Sequence, residues 1–405
     1  MPNPLANKRI ILGVTGSIAA YKAAEIASRL TQTGAFVDVI LTESAAKFIT
    51  PLTFQSVTGR KAYVDADLWG GEGHVTHVGL GRAADLLMIA PASANTIARL
   101  AHGFGDNLLT LTALASHCPL LVAPAMDAGM FEHPATQASV KILEERGVYF
   151  IGPAEGHLAS GLVGRGRMVE PADVIAAARW ALGRKGPLAG KKVVVTAGGT
   201  QEPIDPVRLV TNRSSGKQGY AIAWAAQDAG ADVTLITTAD LPAPCFTKII
   251  TVQTAAQMHA AVMEETADAD LLVMAAAVAD FRPARAATDK IKKEKGLPEI
   301  EMEPTIDILQ AVGEVREKRG WPKRVVGFAA ESRDLLDNAA GKLQRKRLDM
   351  IVANDISRPD AGFEVDTNRV TFLFPDGTAI PLPKISKEEV AEAVIDRALV
   401  WFKNT

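Results

Sequence analysis

The residues best suited to chemistry cluster in short polar stretches that punctuate apolar runs. The stretch "GHLASGLVGRGRMVEP", Gly156 to Pro171, holds Gly156, Gly161, Gly164 and Gly166. So many glycines make a poor helix, and Arg165 and Arg167 exclude a neutral spacer. Such a loop can close over an anion, with Ser160 near its centre; a solvated surface turn is the other reading. In "GVTGSIAAYK", Gly16 and Ser17 fall between an apolar run and a helical one. Free N–H groups at a helix start attract phosphate, and Ser17 adds a hydroxyl. The G-x-G-x-x-G spacing is absent, so phosphate cradle and ordinary tight turn both remain open. "APASANT" offers Ser93 and Asn95, and "TESAAKFI" offers Thr42. Three polar ends of this kind in one sheet favour a phosphate-bearing cofactor. His77 lies near His74, but no Cys or carboxylate cluster completes a metal site there.

The second half has its own polar stretches. "TAGGTQEPIDPVRLVTNRSSGKQGYAIAWAA" joins a glycine-rich turn to a helix that starts near Ser215, Gly216 and Lys217. Its "SSGKQG" lacks the P-loop spacing, so it reads either as a phosphate-facing helix start or as a capped helix. "AAAVADFRP" is read as a strand ending in Asp280. "DKIKKEKG" follows, with Lys290, Lys292, Lys293 and Lys295; a triphosphate needs such cations, although a charge run is also a common solvated face. Lys342 and Lys346, spaced i and i+4, share one helical face.

These stretches need elements to hold them. Apolar runs at 9–14, 36–42, 85–91, 119–124 and 148–153 read as strands, and 18–34 reads as a helix closed by Gly34. Each run ends in a turn of Pro, Gly, Ser or Thr. Strands that alternate with helices predict a doubly wound, mostly parallel sheet with ligands at the carboxyl ends of its strands. The Gly-, Lys- and Pro-rich segment 181–192 reads as a linker, after which the pattern restarts. We therefore expect two Rossmann-like α/β domains, 1–185 and 186–405. The second ends in a β-hairpin turning at Pro375-Asp376-Gly377, then a helix.

Bulk composition narrows the partners. The chain has 405 residues, 44 basic and 46 acidic, for a net charge of −2. No basic excess points to nucleic acid or to a membrane surface. Cys118 and Cys245 sit in different halves, which argues against a disulfide framework or a cysteine-rich zinc site. The start "MPNPLANKRIILGV" has no apolar stretch of signal-peptide length and no run is long enough to span a bilayer, so a cytoplasmic protein is expected.

Taken together, "TGSIAAYK", "HVGL…ADLLMIAPASANTIARLAHG", "APAMDAGMFEHPATQ" and "GHLASGLVGRGRM" resemble the flavin-dependent cysteine decarboxylases. From about residue 8 onward the chain resembles the bifunctional phosphopantothenoylcysteine decarboxylase/phosphopantothenate–cysteine ligases of coenzyme A biosynthesis. The resemblance implies FMN in the first domain, held by Gly16, Ser17, Thr42, Phe48, Ser93 and Met126 at a subunit interface of a trimer-based assembly. It implies His77 as the active-site base. Oxidation of the cysteine moiety provides a thiocarbonyl sink, CO₂ leaves, and the ene-thiol is reduced and protonated. The glycine-rich stretch becomes a clamp over the flavin, with Arg165 and Arg167 meeting the substrate's phosphate or carboxylate.

Two residues depart from the family's pattern, which has Asn and Cys where this chain has Asp127 and Ser160. An ionised Asp repels a substrate carboxylate, so either Asp127 carries a proton or its backbone N–H does the holding. A serine is a weaker acid than a thiol of pKa about 8.5, which leaves solvent, His77 or another clamp side chain to give the final proton. A first domain with weak or no decarboxylase activity, kept beside a working ligase, is the alternative.

For the second domain the resemblance implies CTP with Mg²⁺, an acyl-cytidylate of 4′-phosphopantothenate, and attack on it by cysteine. Carried over by position, Lys290 neutralises phosphate charge and Asn212 binds the acyl-cytidylate. Asp280 contacts the nucleotide or its metal, Ala275, Ala276, Ile308 and Phe328 line the pocket, and Lys342 and Lys346 reach the phosphates. The ligase half is expected to dimerise, so the whole is a homo-oligomer, expected as a dodecamer.

Overall fold

The computed structural model describes residues 3–69, 75–292, 299–331, 335–355 and 367–402. It divides into two units, Pro2–Gly183 and Arg184–Thr405. In the first, the apolar runs form one parallel sheet in the spatial order Ala62–Tyr63, Phe36–Leu41, Arg9–Val14, Leu86–Ala92, Leu120–Pro124, Tyr149–Phe150. Both faces are covered, so the strands bury nearly every residue rather than every second one. Ile11, Ile40, Leu87, Ile89 and Val122 pack with Ile97, Leu108, Leu109 and Val140 from helices on one side. The chain order reverses between the neighbouring strands Arg9–Val14 and Leu86–Ala92, which opens a crevice at their carboxyl ends.

Two boundaries differ from the sequence expectation for local reasons. The first helix spans Ala20–Gln32 instead of 18–34, because Ser17 Oγ accepts from Ala19 N and Ser17 O from Ala20 N, and together they form a turn. The final apolar run yields only the short strand Tyr149–Phe150. The glycine-rich stretch, expected as a loop, is an antiparallel hairpin of Ala154–His157 with Val163–Arg167. Its pairing rests on backbone bonds, so no side-chain alternation announces it.

The second unit carries eight strands in the order Lys248–Thr251, Asp232–Thr237, Lys192–Ala197, Leu271–Met274, Arg324–Glu331, Met350–Asp355, Val370–Leu373, Ala379–Pro381. The first six are parallel; the last two form the antiparallel C-terminal hairpin. Val193, Val195, Ala197, Leu271 and Val273 face one core, under the helices Lys217–Asp228 and Lys387–Val400. Val194, Leu272 and Met274 face the other, under Ala255–Glu265, Ile308–Arg319 and Leu335–Arg345. This period-two division between two apolar layers makes the sheet doubly wound. The hairpin turns through Gly377 at φ 83°, with Thr378 N donating to Asp376 Oδ1 at 2.9 Å.

An ionic knot ties the foot of this sheet. Asp270 accepts from Lys192 N at 3.0 Å and Lys323 Nζ at 2.8 Å. Burial pushes the Asp270 carboxyl up, but Lys323 and the Lys192 N–H outweigh it and hold it below the ordinary carboxylate range. A lowered folded value stabilises the fold above the unfolded value of about 3.9 and is lost as pH falls through the folded one. Asp270→Asn is expected to cost about 1–3 kcal/mol at neutral pH. Denaturant titrations at pH 7 and pH 3 check this, with the gap from wild type closing at the lower pH.

Candidate functional site

In the first unit the polar strand ends meet at one edge of the sheet. Thr15 Oγ1 donates to Pro91 O at 2.8 Å and accepts from Ser93 N at 2.9 Å, which locks two neighbouring ends together. Thr42 N donates to Val14 O, and Thr42 Oγ1 accepts from Ala45 N at 3.3 Å. Ser93 caps the helix Ala94–His102. A Cβ on Gly16 would lie 2.5 Å from Ser44 Cβ, so only glycine lets the two turns touch.

Beside this edge lies a cavity of about 350 Å³ that brings together Ser17, Met126, Asp127, Ser160 and Arg167. Asp127 caps a short helix, with Oδ1 accepting from Gly129 N at 3.0 Å, while Oδ2 accepts the Ser160 hydroxyl at 2.6 Å. The two departures from the family pattern, 33 residues apart, are hydrogen-bond partners. Met126 N donates to Gly166 O, and a Cβ on Gly166 would lie 2.3 Å from Met126 O. The hairpin thus docks backbone to backbone. Gly166→Ala is expected to lift it, so that trypsin cuts after Arg165 and Arg167 at least tenfold faster while the far-ultraviolet dichroism is unchanged.

Sequence reading missed Lys22. It lines the cavity with a side chain only 6% exposed, and its ammonium donates to Met168 O at 3.2 Å and Glu170 Oε1 at 3.0 Å. Arg167 Nη2 shares the same Oε1 at 2.7 Å. The Lys22 bond, followed by the charges of Lys22 and Arg167, holds the Glu170 carboxyl below its ordinary range. The available signal was Lys22 falling four residues before Ile26 on the buried stripe of its helix.

Several expected residues lie outside the cavity lining. Arg165 sits 5.4 Å over the Phe131 ring, and Phe48 is 54% exposed. Gly16, Thr42 and Ser93 form the neighbouring sheet edge. His77 lies on the helix Thr76–Ala83, its Nδ1 buried without a hydrogen-bond partner among the described residues. His74 lies outside the described residues. Cys118 sits in the turn before Leu120–Pro124, against Ser116.

The second unit holds a cavity of about 460 Å³ lined by Asn212, Ala275, Ala276, Asp280, Ile308, Phe328, Lys342 and Lys346. A glycine turn packs against its lining residue Asn212. A Cβ on Gly199 would meet Asn212 O at 2.5 Å, and Gly216 starts the helix Lys217–Asp228 at φ 77°. Asn212 Nδ2 donates to Val278 O at 2.9 Å, and Thr200 Oγ1 accepts from Ala279 N at 2.9 Å. Asp280 lies past the strand, which ends at Met274, so the expected strand end is instead a loop; Thr305 N binds Asp280 O at 2.9 Å. Lys346 pairs with Asp307, the cap of the helix Ile308–Arg319, at 3.0 Å. Asn354 Oδ1 and Asn368 Oδ1 line the cavity buried and, among the described residues, unpartnered, acceptors that sequence reading missed.

Lys290 is exposed and is not among the lining residues. Its neighbour Ile291 donates its N–H to Asp205 Oδ2 at 3.2 Å, which anchors the segment. Burial pushes the Asp205 carboxyl up, but the N–H groups of Val207, Ile291 and Arg208 and the Arg208 charge outweigh it and hold it low. Lys293 and Lys295 lie outside the described residues.

The first site fits a flavin phosphate: hydroxyls and a helix start converge where Gly16 leaves no room for a side chain. Among the described residues no group of three or more His, Cys, Asp or Glu is assembled. Asp280 alone suits a cation that arrives on a triphosphate, since magnesium needs only one or two protein carboxylates beside substrate phosphates.

Comparison with known proteins finds two family matches along the chain. Residues 1–181 match the Flavoprotein family, and 188–400 match the DNA/pantothenate metabolism flavoprotein C-terminal domain. The chain is 43% identical to the coenzyme A biosynthesis bifunctional protein CoaBC of Bacillus subtilis, covering 99% of both. It is 45% identical to the Mycobacterium tuberculosis protein of that name, covering 98% of this chain and 97% of the relative. Among solved structures, the C-terminal domain of a CoaBC protein is 36% identical and matched over 55% of this chain and all of that one, with a TM-score of 0.46. No helix among the described residues is long and apolar enough to cross a membrane.

Proposed function

The chain belongs to the family of bifunctional coenzyme A biosynthesis proteins, and from that premise we propose how its two units divide the work. The unit Arg184–Thr405 ligates cysteine to 4′-phosphopantothenate, and the unit Pro2–Gly183 decarboxylates the product to 4′-phosphopantetheine. The observation that carries this is the second cavity. It gathers Asn212, Asp280, Phe328, Lys342 and Lys346 from segments far apart in sequence, which suits a nucleotide with an acyl group on its phosphate.

In the ligase unit, CTP lies with its base near Phe328 and Ala275–Ala276. Lys342, Lys346 and the Ser215–Lys217 helix start, which line the cavity, would meet its phosphates, and Asp280 would hold the accompanying Mg²⁺. The carboxylate of phosphopantothenate gains a CMP leaving group, which makes it an electrophile for the cysteine amine. Lys290, exposed and tethered through Ile291, swings in to meet developing phosphate charge. In the first unit, FMN would supply the hydride acceptor and donor. Gly16, Ser17, Thr42, Phe48, Ser93 and Met126 would hold it, and Arg167 and Arg165 would draw in the substrate's anionic groups. His77, off the cavity within one chain, would serve the flavin of a neighbouring copy in a homo-oligomer built on trimeric flavin-unit and dimeric ligase-unit contacts.

The test is direct. Pure protein is incubated with phosphopantothenate, cysteine, Mg²⁺ and each nucleoside triphosphate in turn, and products are identified by mass. Phosphopantetheine with CTP and a yellow protein support the reading. A colourless protein that refuses flavin and cleaves no triphosphate defeats it.

A further inference from the structure

The second unit holds a buried carboxylate that does not line its cavity. Asp205 sits in the turn between the paired strands Gln201–Pro203 and Leu209–Thr211, and its side chain has no exposure to solvent. Among the described residues, Oδ1 accepts from Val207 N and Arg208 N, both at 2.8 Å. Oδ2 accepts from Arg208 Nη1 at 2.7 Å and Ile291 N at 3.2 Å. Arg208 Nη1 also donates to Ile291 O at 3.2 Å. The pair therefore grips both backbone polar groups of the residue that follows Lys290. Nearer the start of the same stretch, Ala287 N donates to Ile204 O at 2.8 Å. The stretch that carries Lys290 is thus moored at two points to one turn. A carboxylate suits the place because both of its oxygens accept; an amide would aim its N–H₂ at donors on one side or the other. The hairpin has Asn212 just beyond its other end, where Thr211 Oγ1 donates to Thr200 O at 2.8 Å. Three residues of strand span roughly 10 Å, so one short hairpin carries Asn212 at one end and holds Lys290 at the other.

We propose that Asp205 is a positioning residue of the ligation: through Ile291 it fixes the backbone of Lys290 to the hairpin that ends at Asn212, and so sets where the lysine's ammonium can stand during activation of the carboxylate. The inference rests on the ligase reading above and names the group that holds Lys290 in place. In the activating step a carboxylate oxygen of phosphopantothenate attacks the α-phosphorus of CTP. The new O–P bond forms as the bond from that phosphorus to its bridging oxygen breaks, and pyrophosphate leaves with the electron pair. Negative charge grows on the departing oxygens. A cation lowers that barrier when it is already aimed at the place where the charge develops. Lysine carries its charge on a flexible four-carbon stem, so the aim has to come from the backbone that bears it. Asp205 touches no reacting atom and acts through Lys290 alone. Because the same hairpin bears Asn212, the two residues assigned to the phosphate charge and to the acyl-cytidylate keep their relative places.

The experiment follows pyrophosphate release in a single turnover, on full-length protein given CTP, Mg²⁺ and phosphopantothenate. Asp205→Asn is expected to slow release at least tenfold at saturating CTP, since misplacement by about 1 Å costs about 10²-fold. The KM for CTP should stay within about twofold of wild type, because the cavity lining is untouched. Lys290→Ala should slow release as well. Adding Asp205→Asn to Lys290→Ala should cost no more than about twofold further, since two residues that serve one interaction are non-additive. A merely structural Asp205 would multiply the two losses. Ile291→Pro removes the N–H from the other side of the bond and leaves the buried turn whole, so it decides the matter even if Asp205→Asn folds poorly. It should reproduce the loss at an unchanged melting temperature, and it too should add little to Lys290→Ala. Release at the wild-type rate in Asp205→Asn or Ile291→Pro, or multiplied losses in either double variant, overturns the positioning role and leaves the ligase reading standing. No CTP-dependent pyrophosphate from wild type overturns the ligase reading, and this inference with it.

Discussion

Replacing His77 by asparagine is expected to lower CO₂ release by about 10³-fold while flavin stays bound and cysteine ligation continues, since a positioned acid–base group contributes 10²–10⁴-fold. His77 is held by the helix Thr76–Ala83 with Nδ1 buried and, among the described residues, unpartnered. A buried polar atom without a partner is costly, and a ligand or a neighbouring copy that supplies one relieves the cost. Asparagine keeps a polar side chain of similar reach but cannot exchange a proton near neutral pH. The measurement is release of labelled CO₂, with flavin absorbance as the control for binding. A rate within threefold of wild type would remove His77 from the chemistry. Because His77 is not among the residues lining the cavity of its own chain, mixed oligomers give a second check. Chains carrying His77→Asn, combined with chains carrying Ser160→Ala, should regain activity that neither has alone if one site draws on two copies.

Asn212→Ala is expected to slow phosphopantothenoylcysteine formation about 10²- to 10³-fold, with decarboxylation of supplied phosphopantothenoylcysteine unaffected. Asn212 is pressed against Gly199, and its amide donates to Val278 O at 2.9 Å, so it joins the glycine turn to the loop that leads to Asp280. Alanine removes the donor at the cavity and lets that loop drift. Nucleotide-dependent pyrophosphate release, followed separately from product formation, locates the defect. If pyrophosphate and product both form at the wild-type rate, Asn212 has no part in the intermediate's binding.

What could be read without coordinates followed from short-range physics. Runs such as "RIILGV" and "KKVVVT" are too apolar to face water on either side, so they had to be central strands of a doubly wound sheet. The turns that end them had to carry the polar groups. Gly34 and Gly377, both at positive φ, stop a helix and turn a hairpin where expected. The edge strand Lys248–Thr251 left a weaker trace, because it is short and mostly exposed.

The sequence by itself determined two α/β sheets with polar strand ends, and it marked Asp127 and Ser160 as departures from the family's pattern. Only the tertiary structure decided that these two meet, that Lys22 lines the first cavity, that Lys290 stands away from the second and that Asp205 anchors its segment. The reason is range. Burial and turn chemistry act between residues a few positions apart and leave a periodic trace in the chain. A hydrogen bond across 33 residues depends on where a sheet edge and a hairpin bring two side chains, and one-dimensional spacing does not encode that distance.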